Sequence, residues 1–144
     1  MQEGISLDEL NISRNSITGK SLVMFSRAIK LNTSLRKLNM GGNQLQEEGL
    51  DLFANALIEN HYLEELILAG NSINNQGLIL LSSFIVSNMT IKTLDLSKNS
   101  FGDPGLQTFA RALERNLGLT SLNISYNYDV TDEQGLSHIA EALR

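Results

Sequence analysis

The fold of this chain is decided by residues 91–99, which read I-K-T-L-D-L-S-K-N. The same pattern, L-x-x-L-x-L-x-x-N with isoleucine or methionine replacing some leucines, begins at residues 7, 35, 63, 91 and 119, in four steps of 28. Its last position is always asparagine: Asn15, Asn43, Asn71, Asn99 and Asn127. A period of this length indicates stacked units, because a single unit cannot bury its own apolar face.

Each unit predicts one short strand followed by one helix. Leu94 and Leu96 alternate with polar residues, which is typical of a strand with one buried face. Apolar residues then recur at helical offsets 0, 3, 6 and 7, as in Leu50, Phe53, Ala56 and Leu57. The predicted fold is an α/β solenoid shaped as a horseshoe arc, with a parallel sheet on the concave face and helices on the convex face. We expect one domain, residues 1–144, with five units: 7–34, 35–62, 63–90, 91–118 and 119–144.

The asparagine column has a predicted structural role. Between strand and helix the chain turns inward and leaves backbone groups without a ladder partner, and a carboxamide both donates and accepts hydrogen bonds. We therefore expect the five side chains to form a buried ladder. Asn11, Asn32, Asn88 and Asn123 also begin N-glycosylation sequons, which we interpret as silent.

The repeated unit resembles the leucine-rich repeat family over residues 7–144. The helix-containing unit of 28 residues resembles the ribonuclease-inhibitor-like subfamily, which includes the repeat arrays of NOD-like receptors. Residues 32–39 and 105–113 are typical of it. One departure is the absence of cysteine, in which ribonuclease inhibitor itself is rich. The resemblance implies the fold and a binding role, since this family serves many unrelated partners.

Composition argues against several functions. A net charge of −5 disfavours nucleic acid and anionic membranes as partners, because both need a basic surface. The absence of cysteine favours a cytoplasmic location. Neither His61 and His138 nor the acidic residues near position 130 have metal-ligand spacing, and no nucleophile motif occurs. We expect no catalytic residue, no cofactor and no metal.

The concave face is the predicted partner-binding surface. Its second column alternates in charge through Asp8, Arg36, Glu64 and Lys92, so it should neutralise itself. Ile67 is an isolated apolar residue there, and Ala69 belongs to a column of small residues that would admit a close partner. The candidate partner-binding residues are Glu9, Asn11, Lys37, Asn39, Glu65, Ile67, Ala69, Asp95, Asn123, Tyr126 and Tyr128.

The fifth unit contains a longer loop after its asparagine. Asn127 to Gly135 spans eight residues, whereas Asn99 to Gly105 spans six. The extra length enlarges a segment with two tyrosines, which suit protein contacts. We favour the alternative interpretation, a tolerated insertion whose apolar residues pack locally. In the preceding unit, Asp103-Pro104 predicts a capping aspartate with proline at the first helical position.

These features predict a non-catalytic protein-interaction scaffold whose partner is a protein. The alternatives are a regulator of a small GTPase, since GTPase-activating proteins for Ran share this repeat type, and a ligand-sensing module of an immune receptor or bacterial effector. Neither end has a polar cap, so we expect a fragment of a longer array. The open ends also allow end-to-end self-association.

Overall fold

The computed structural model describes residues 5–131 and 133–144, which alternate strand and helix five times. The strands are β1 (Glu9–Asn11), β2 (Lys37–Asn39), β3 (Glu65–Ile67), β4 (Thr93–Asp95) and β5 (Ser121–Asn123). The helices are α1 (Gly19–Leu31), α2 (Leu50–Glu59), α3 (Asn75–Ser87), α4 (Asp103–Leu113) and α5 (Gly135–Ala142). The predicted unit of one strand and one helix is therefore confirmed.

The strands form one parallel sheet in the order β1-β2-β3-β4-β5. Each residue pairs with the residue 28 positions away; for example, Leu38 lies opposite Leu66 and Leu66 opposite Leu94. This register brings every column of the repeat side by side across the sheet. Parallel strands are about 4.8 Å apart and packed helices 8–10 Å apart, so the stack curves toward its sheet.

A continuous core lies between the sheet and the helices. Phe53, Phe84 and Phe109 from the helices and Phe101 from a strand-to-helix turn are all essentially inaccessible to solvent. Burial decreases toward both ends, where Leu7 is 45% and Leu143 is 81% exposed. None of the described helices combines the length and the hydropathy needed to cross a bilayer.

The asparagine column follows a left-handed residue in every unit. Arg14, Gly42, Gly70, Lys98 and Tyr126 have φ of 57°, 67°, 64°, 55° and 57°. This conformation turns the next side chain inward, so Asn43, Asn71, Asn99 and Asn127 are buried. Asn15 is exposed instead. The expectation of five buried members was wrong for the first unit, because no described unit packs on the outer side of Asn15.

The buried asparagines connect neighbouring units by a repeated set of bonds. Asn71 Nδ2 donates to Leu68 O within its own unit at 3.1 Å and to Met40 O of the preceding unit at 3.0 Å. Asn99 Nδ2 makes the equivalent bonds to Leu96 O and Leu68 O at 2.9 and 3.1 Å. The carboxamides thus satisfy backbone carbonyls where the sheet ladder ends.

A second asparagine ladder runs where each helix returns to the next strand: Asn32, Asn60, Asn88 and Asn116. Asn88 Nδ2 donates to Leu57 O at 2.7 Å and Asn60 O at 3.2 Å, and its Oδ1 accepts from Ile91 N at 2.9 Å. Asn32 and Asn88 begin sequons, and the spacing of 28 that they share with Asn60 and Asn116 is the sequence signal that identifies this ladder. Both turns of the coil are therefore held by carboxamides.

Candidate protein-binding surface

The inner, concave face of the sheet is formed by the side chains of the first and last residue of each strand, because the middle residue is a leucine of the core. Lys37 faces Glu9 on one side and Glu65 on the other, because the parallel register aligns them. Lys37 Nζ lies 2.9 Å from Glu9 Oε1. This hydrogen bond and the negative charges of Glu9 and Glu65 raise the pKa of the Lys37 amino group above its usual value. The ion pair is exposed, so it contributes little to stability.

The predicted charge alternation in the neighbouring column is only partly present. Arg36 Nε lies 4.0 Å from Glu64 Oε1. Within the described part of the chain, Asp8–Arg36 and Glu64–Lys92 are not ion pairs. Lys92 Nζ instead donates to Met89 O at 3.0 Å. Long cationic side chains can reach the carbonyls of the helix-to-strand turns, which compete with the carboxylates of the adjacent strand.

The next column contains a repeated hydrogen bond that one unit lacks. Asn11, Asn39 and Asn123 each accept at Oδ1 from the backbone N–H two residues later, at 3.0, 2.9 and 3.1 Å. Asp95 Oδ1 makes the same bond to Ser97 N at 2.8 Å. Ile67 occupies this position in the third unit and has no acceptor. The Ala69 N–H therefore lacks the side-chain bond that the other four units make.

The column of small residues lies beside Ile67 and is closely packed. Gly41 and Ser97 are buried, and Ala69 is half-buried. A Cβ added to Gly41 would lie 3.2 Å from Asn39 Oδ1 and 3.3 Å from Ala69 O, so little more than glycine fits there. Of these three residues, Ala69 is the most accessible beside Ile67.

A shallow depression gathers part of the predicted surface. Its volume is about 220 Å³, and Leu10 and Leu38 form its floor. Six candidate residues line it: Glu9, Asn11, Lys37, Asn39, Glu65 and Ile67. Ala69, Asp95 and Asn123 lie on the same face outside the depression. The depression thus places the apolar side chain of Ile67 beside charged and amide groups.

The two candidate tyrosines lie in the fifth unit. Tyr126 is 61% exposed and Tyr128 is 87% exposed. Lys98 Nζ lies 5.8 Å from the centre of the Tyr126 ring, within range of a cation–π contact. The structure therefore leaves both rings accessible, but on a loop and apart from the depression around Ile67.

The longer loop of the fifth unit is attached to the fourth unit through Asp103. Asp103 Oδ2 accepts from Thr131 Oγ1 at 2.6 Å, and its Oδ1 accepts from Thr131 N at 2.9 Å. These bonds lower the pKa of the Asp103 carboxyl below its usual value. The prediction that Asp103 caps α4 was wrong, since Gly102 is the N-cap residue. The backbone N–H of Gly105 in the first turn instead donates to Asn75 Oδ1 of the preceding unit at 3.0 Å.

Two other depressions lie away from the predicted surface. A groove of about 590 Å³ runs between α3 and α4 on the helical side. A second depression, of about 410 Å³, lies on the open side of the fifth unit and is lined by Leu119, Leu122, Ile124 and Ile139. No cluster of three or more His, Asp or Glu side chains suited to a metal occurs in residues 5–131 and 133–144.

Five stacked strand–helix units with an accessible inner sheet define a solenoid repeat protein. Residues 31–54, 59–82 and 87–110 match a family model described as "Leucine Rich repeat", and residues 6–28 match a second, described as "Leucine Rich Repeat". The matched segments of the first model cover half of the chain. The chain therefore belongs to the leucine-rich repeat family.

Solved structures share the fold at low sequence identity. The chain is similar to the structure titled Leiomodin-1 Actin-Binding Site 2, with 20% identity and a TM-score of 0.76 over 94% of this chain and 80% of that one. It is also similar to a tropomodulin C-terminal domain of Caenorhabditis elegans, with 15% identity and a TM-score of 0.51 over 87% and 90% of the two chains. No curated protein matches the chain at a significant level.

Proposed function

We propose that this chain is a non-catalytic protein-binding module whose partner docks on the inner face of the sheet around Ile67. The observation that carries the proposal is the interruption of the hydrogen-bonded column at this residue. A half-buried isoleucine stands beside a backbone N–H that has lost its side-chain acceptor. A partner that supplies an apolar contact and a carbonyl oxygen would satisfy both groups.

The charges around Ile67 support recognition at short range. Lys37 and Glu9 already pair with each other, so they leave little field to attract a partner from a distance. Their exposed polar groups can form a rim around the apolar centre, which is the usual anatomy of a protein interface. The net charge of −5 supports the further proposal that the partner is neither nucleic acid nor an anionic membrane.

Actin is the first partner to test. The solved structure titled Leiomodin-1 Actin-Binding Site 2 shares the fold over 94% of this chain. Co-sedimentation with filamentous actin and gel filtration with monomeric actin test directly whether this chain also binds actin. Binding in either assay, reduced by Ile67→Asn, would identify the partner. An absence of binding would remove actin and leave the inner-face proposal to be tested with other proteins.

The general test compares two inner-face variants with two helical-side variants. Ile67→Asn and Ala69→Arg alter the proposed surface, and Asp51→Arg and Gln107→Arg alter exposed positions on the helices. Proteins captured from a lysate by the wild-type chain should be lost with the first pair and retained with the second. The reverse result would place the binding surface on the helical side.

We further propose that the chain belongs to the ribonuclease-inhibitor-like subfamily and works in the cytoplasm as one domain. The unit of 28 residues with a helix of up to 13 residues supports the subfamily. The absence of cysteine supports a reducing compartment. A single cooperative unfolding transition is the expected sign of one domain.

A further inference from the structure

The groove between α3 and α4 differs chemically from the equivalent groove between α1 and α2. Both run between neighbouring helices on the helical side of the solenoid. In the α1–α2 groove, Lys30 Nζ pairs with Glu59 Oε1 at 2.9 Å. Two units further along, the corresponding positions are Val86 and Arg115. The ion pair is thus replaced by an apolar residue and a cation.

The α3–α4 groove has two arginines that no described carboxylate neutralises through an ion pair. Arg111 lies on α4, Arg115 lies four residues later in the turn that follows the helix, and both are exposed. Neither forms a salt bridge with a described residue, although Glu114 also lines the groove. The facing helix offers no anion, since the sequence has no charged residue between Glu65 and Lys92.

The other side of the groove is apolar and hydroxylic. Ile79 and Val86 of α3 line it, together with Ser83 and Thr108. Val86 is 37% exposed, which leaves part of its side chain available for contact. A guanidinium group binds a carboxylate through two parallel hydrogen bonds, and the adjacent aliphatic surface can take an apolar side chain of the same ligand.

We propose that the α3–α4 groove binds an acidic peptide segment of a protein, with carboxylates on Arg111 and Arg115 and an apolar side chain against Ile79 and Val86. Charge complementarity selects this occupant. Two arginines on a chain of net charge −5 are too few to hold a polyanion such as RNA. This site lies on the opposite side from Ile67 and is independent of the inner-face proposal.

Selection from a random 12-residue peptide display library against the whole chain tests the proposal. Recovered peptides should be enriched in Asp and Glu next to Leu, Ile or Phe, relative to the starting library. One of them, synthesised with a fluorophore, should lose at least about tenfold in affinity for the double variant Arg111→Ala/Arg115→Ala. Its affinity should also fall when NaCl is raised from 50 to 200 mM, because the contacts are charged.

Matched variants locate the binding. Arg27→Ala removes the arginine at the equivalent position of α1, which lines the α1–α2 groove, and should leave peptide affinity unchanged. Ile67→Asn should also leave it unchanged, which separates this site from the inner face. Peptides without acidic enrichment, equal affinity for the Arg111→Ala/Arg115→Ala protein, or equally tight binding of a polyuridine RNA would overturn the proposal. Circular dichroism melting of each variant excludes loss of folding as the cause.

Discussion

Asn99 Oδ1 accepts hydrogen bonds from the backbone N–H of Asn71 at 2.9 Å and of Ile73 at 3.1 Å. Asn43 makes the same pair of bonds to Asn15 and Ile17, at 2.9 and 3.0 Å. Among the described residues, the Oδ1 atoms of Asn71 and Asn127 have no such partner. The ladder therefore alternates: the acceptor oxygens join unit one to two and unit three to four.

The alternation has a backbone cause. Ser16 and Ser72, which follow the asparagines of units one and three, have φ of 55° and 56°. This second left-handed residue turns the backbone N–H groups toward the next asparagine. In the second unit the left-handed residue is Gln46 instead, and its N–H donates to Asn71 O at 3.1 Å. Identical asparagines therefore support different numbers of bonds.

Replacement of Asn99 by alanine should destabilise the protein more than replacement of Asn71. Asn99→Ala leaves the backbone N–H groups of Asn71 and Ile73 without their acceptor, and we expect a loss of about 1–3 kcal/mol in the free energy of unfolding. Asn71→Ala removes donors only and should cost less. Urea denaturation measures both, with the exposed Gln107→Ala as the control expected within about 0.5 kcal/mol of wild type. Equal losses for the two asparagines would contradict the alternation.

The second ladder should matter as much as the first. Asn88→Ala removes the bonds from Nδ2 to Leu57 O and Asn60 O, so buried carbonyls would lose their partners. We expect a loss of about 1–3 kcal/mol in the same denaturation assay. Asn123→Ala is the matched control, since that asparagine is exposed. Similar midpoints for the two variants would show that this turn does not depend on its carboxamide.

Ile67→Asn should remove the proposed anchor without harming the fold. Asparagine at this position can accept from Ala69 N, as Asn39 does from Gly41 N at 2.9 Å. The new hydrogen bond should offset the lost apolar contact, so the free energy of unfolding should remain within about 1 kcal/mol of wild type. A denaturation curve checks this before any binding assay. A strongly destabilised variant would mean that Ile67 is mainly a core residue.

The contribution of the Asp103–Thr131 contact to stability should depend on pH in the acidic range. The folded-state pKa of Asp103 is lowered, so the contact stabilises the protein above the unfolded-state pKa. That contribution is lost as the pH falls through the lowered folded-state pKa. An NMR titration should place the Asp103 carboxyl below its ordinary pKa of 3.8, and Thr131→Val should raise it toward that value. An unchanged titration in Thr131→Val would assign the shift to another group.

Hydrogen exchange should be slowest in the middle of the solenoid. Leu66 and Leu94 belong to strands with a neighbour on each side, whereas β1 and β5 have one described neighbour each. Terminal units of a quasi-one-dimensional stack open at lower free energy. Mass spectrometry of exchanged peptides should therefore show faster exchange around Leu10 and Leu122. Uniform protection would indicate that the ends associate with each other in solution.

Much of the structure was predictable because the repeat is visible in every unit. The spacing of 28 fixed the order of strand and helix, the parallel register and the inward position of the asparagines. The ends were less regular than the pattern indicated: Asn15 is exposed although it occupies the same column as the buried Asn71. The burial of a residue depends on whether its unit has another unit packed on each side. The repeat pattern does not show which units have two such neighbouring units.

The sequence predicted which columns of residues form the candidate site. It did not predict the hydrogen bonds that those residues make. The sequence alone placed Ile67 and Ala69 on the inner face, because alternation along a strand assigns each residue to one side. That Asn39 bonds the backbone N–H of Gly41 depends on a turn that forms only after the strand ends, and thus on the structure. The groove with Arg111 and Arg115 also required the structure, because its walls come from helices of different units.

The sequence by itself determined the architecture of this protein. The chain has a strict period of 28 residues with leucines and asparagines in register. Such units bury their apolar faces by stacking, each unit on the next. The tertiary structure decided which hydrogen bonds each residue of a column makes. Asn71 and Asn99 differ in their bonds, and Asp103 binds Thr131 instead of capping its helix. Hydrogen bonds depend on distances and angles within tenths of an ångström, and those are set by packing between units.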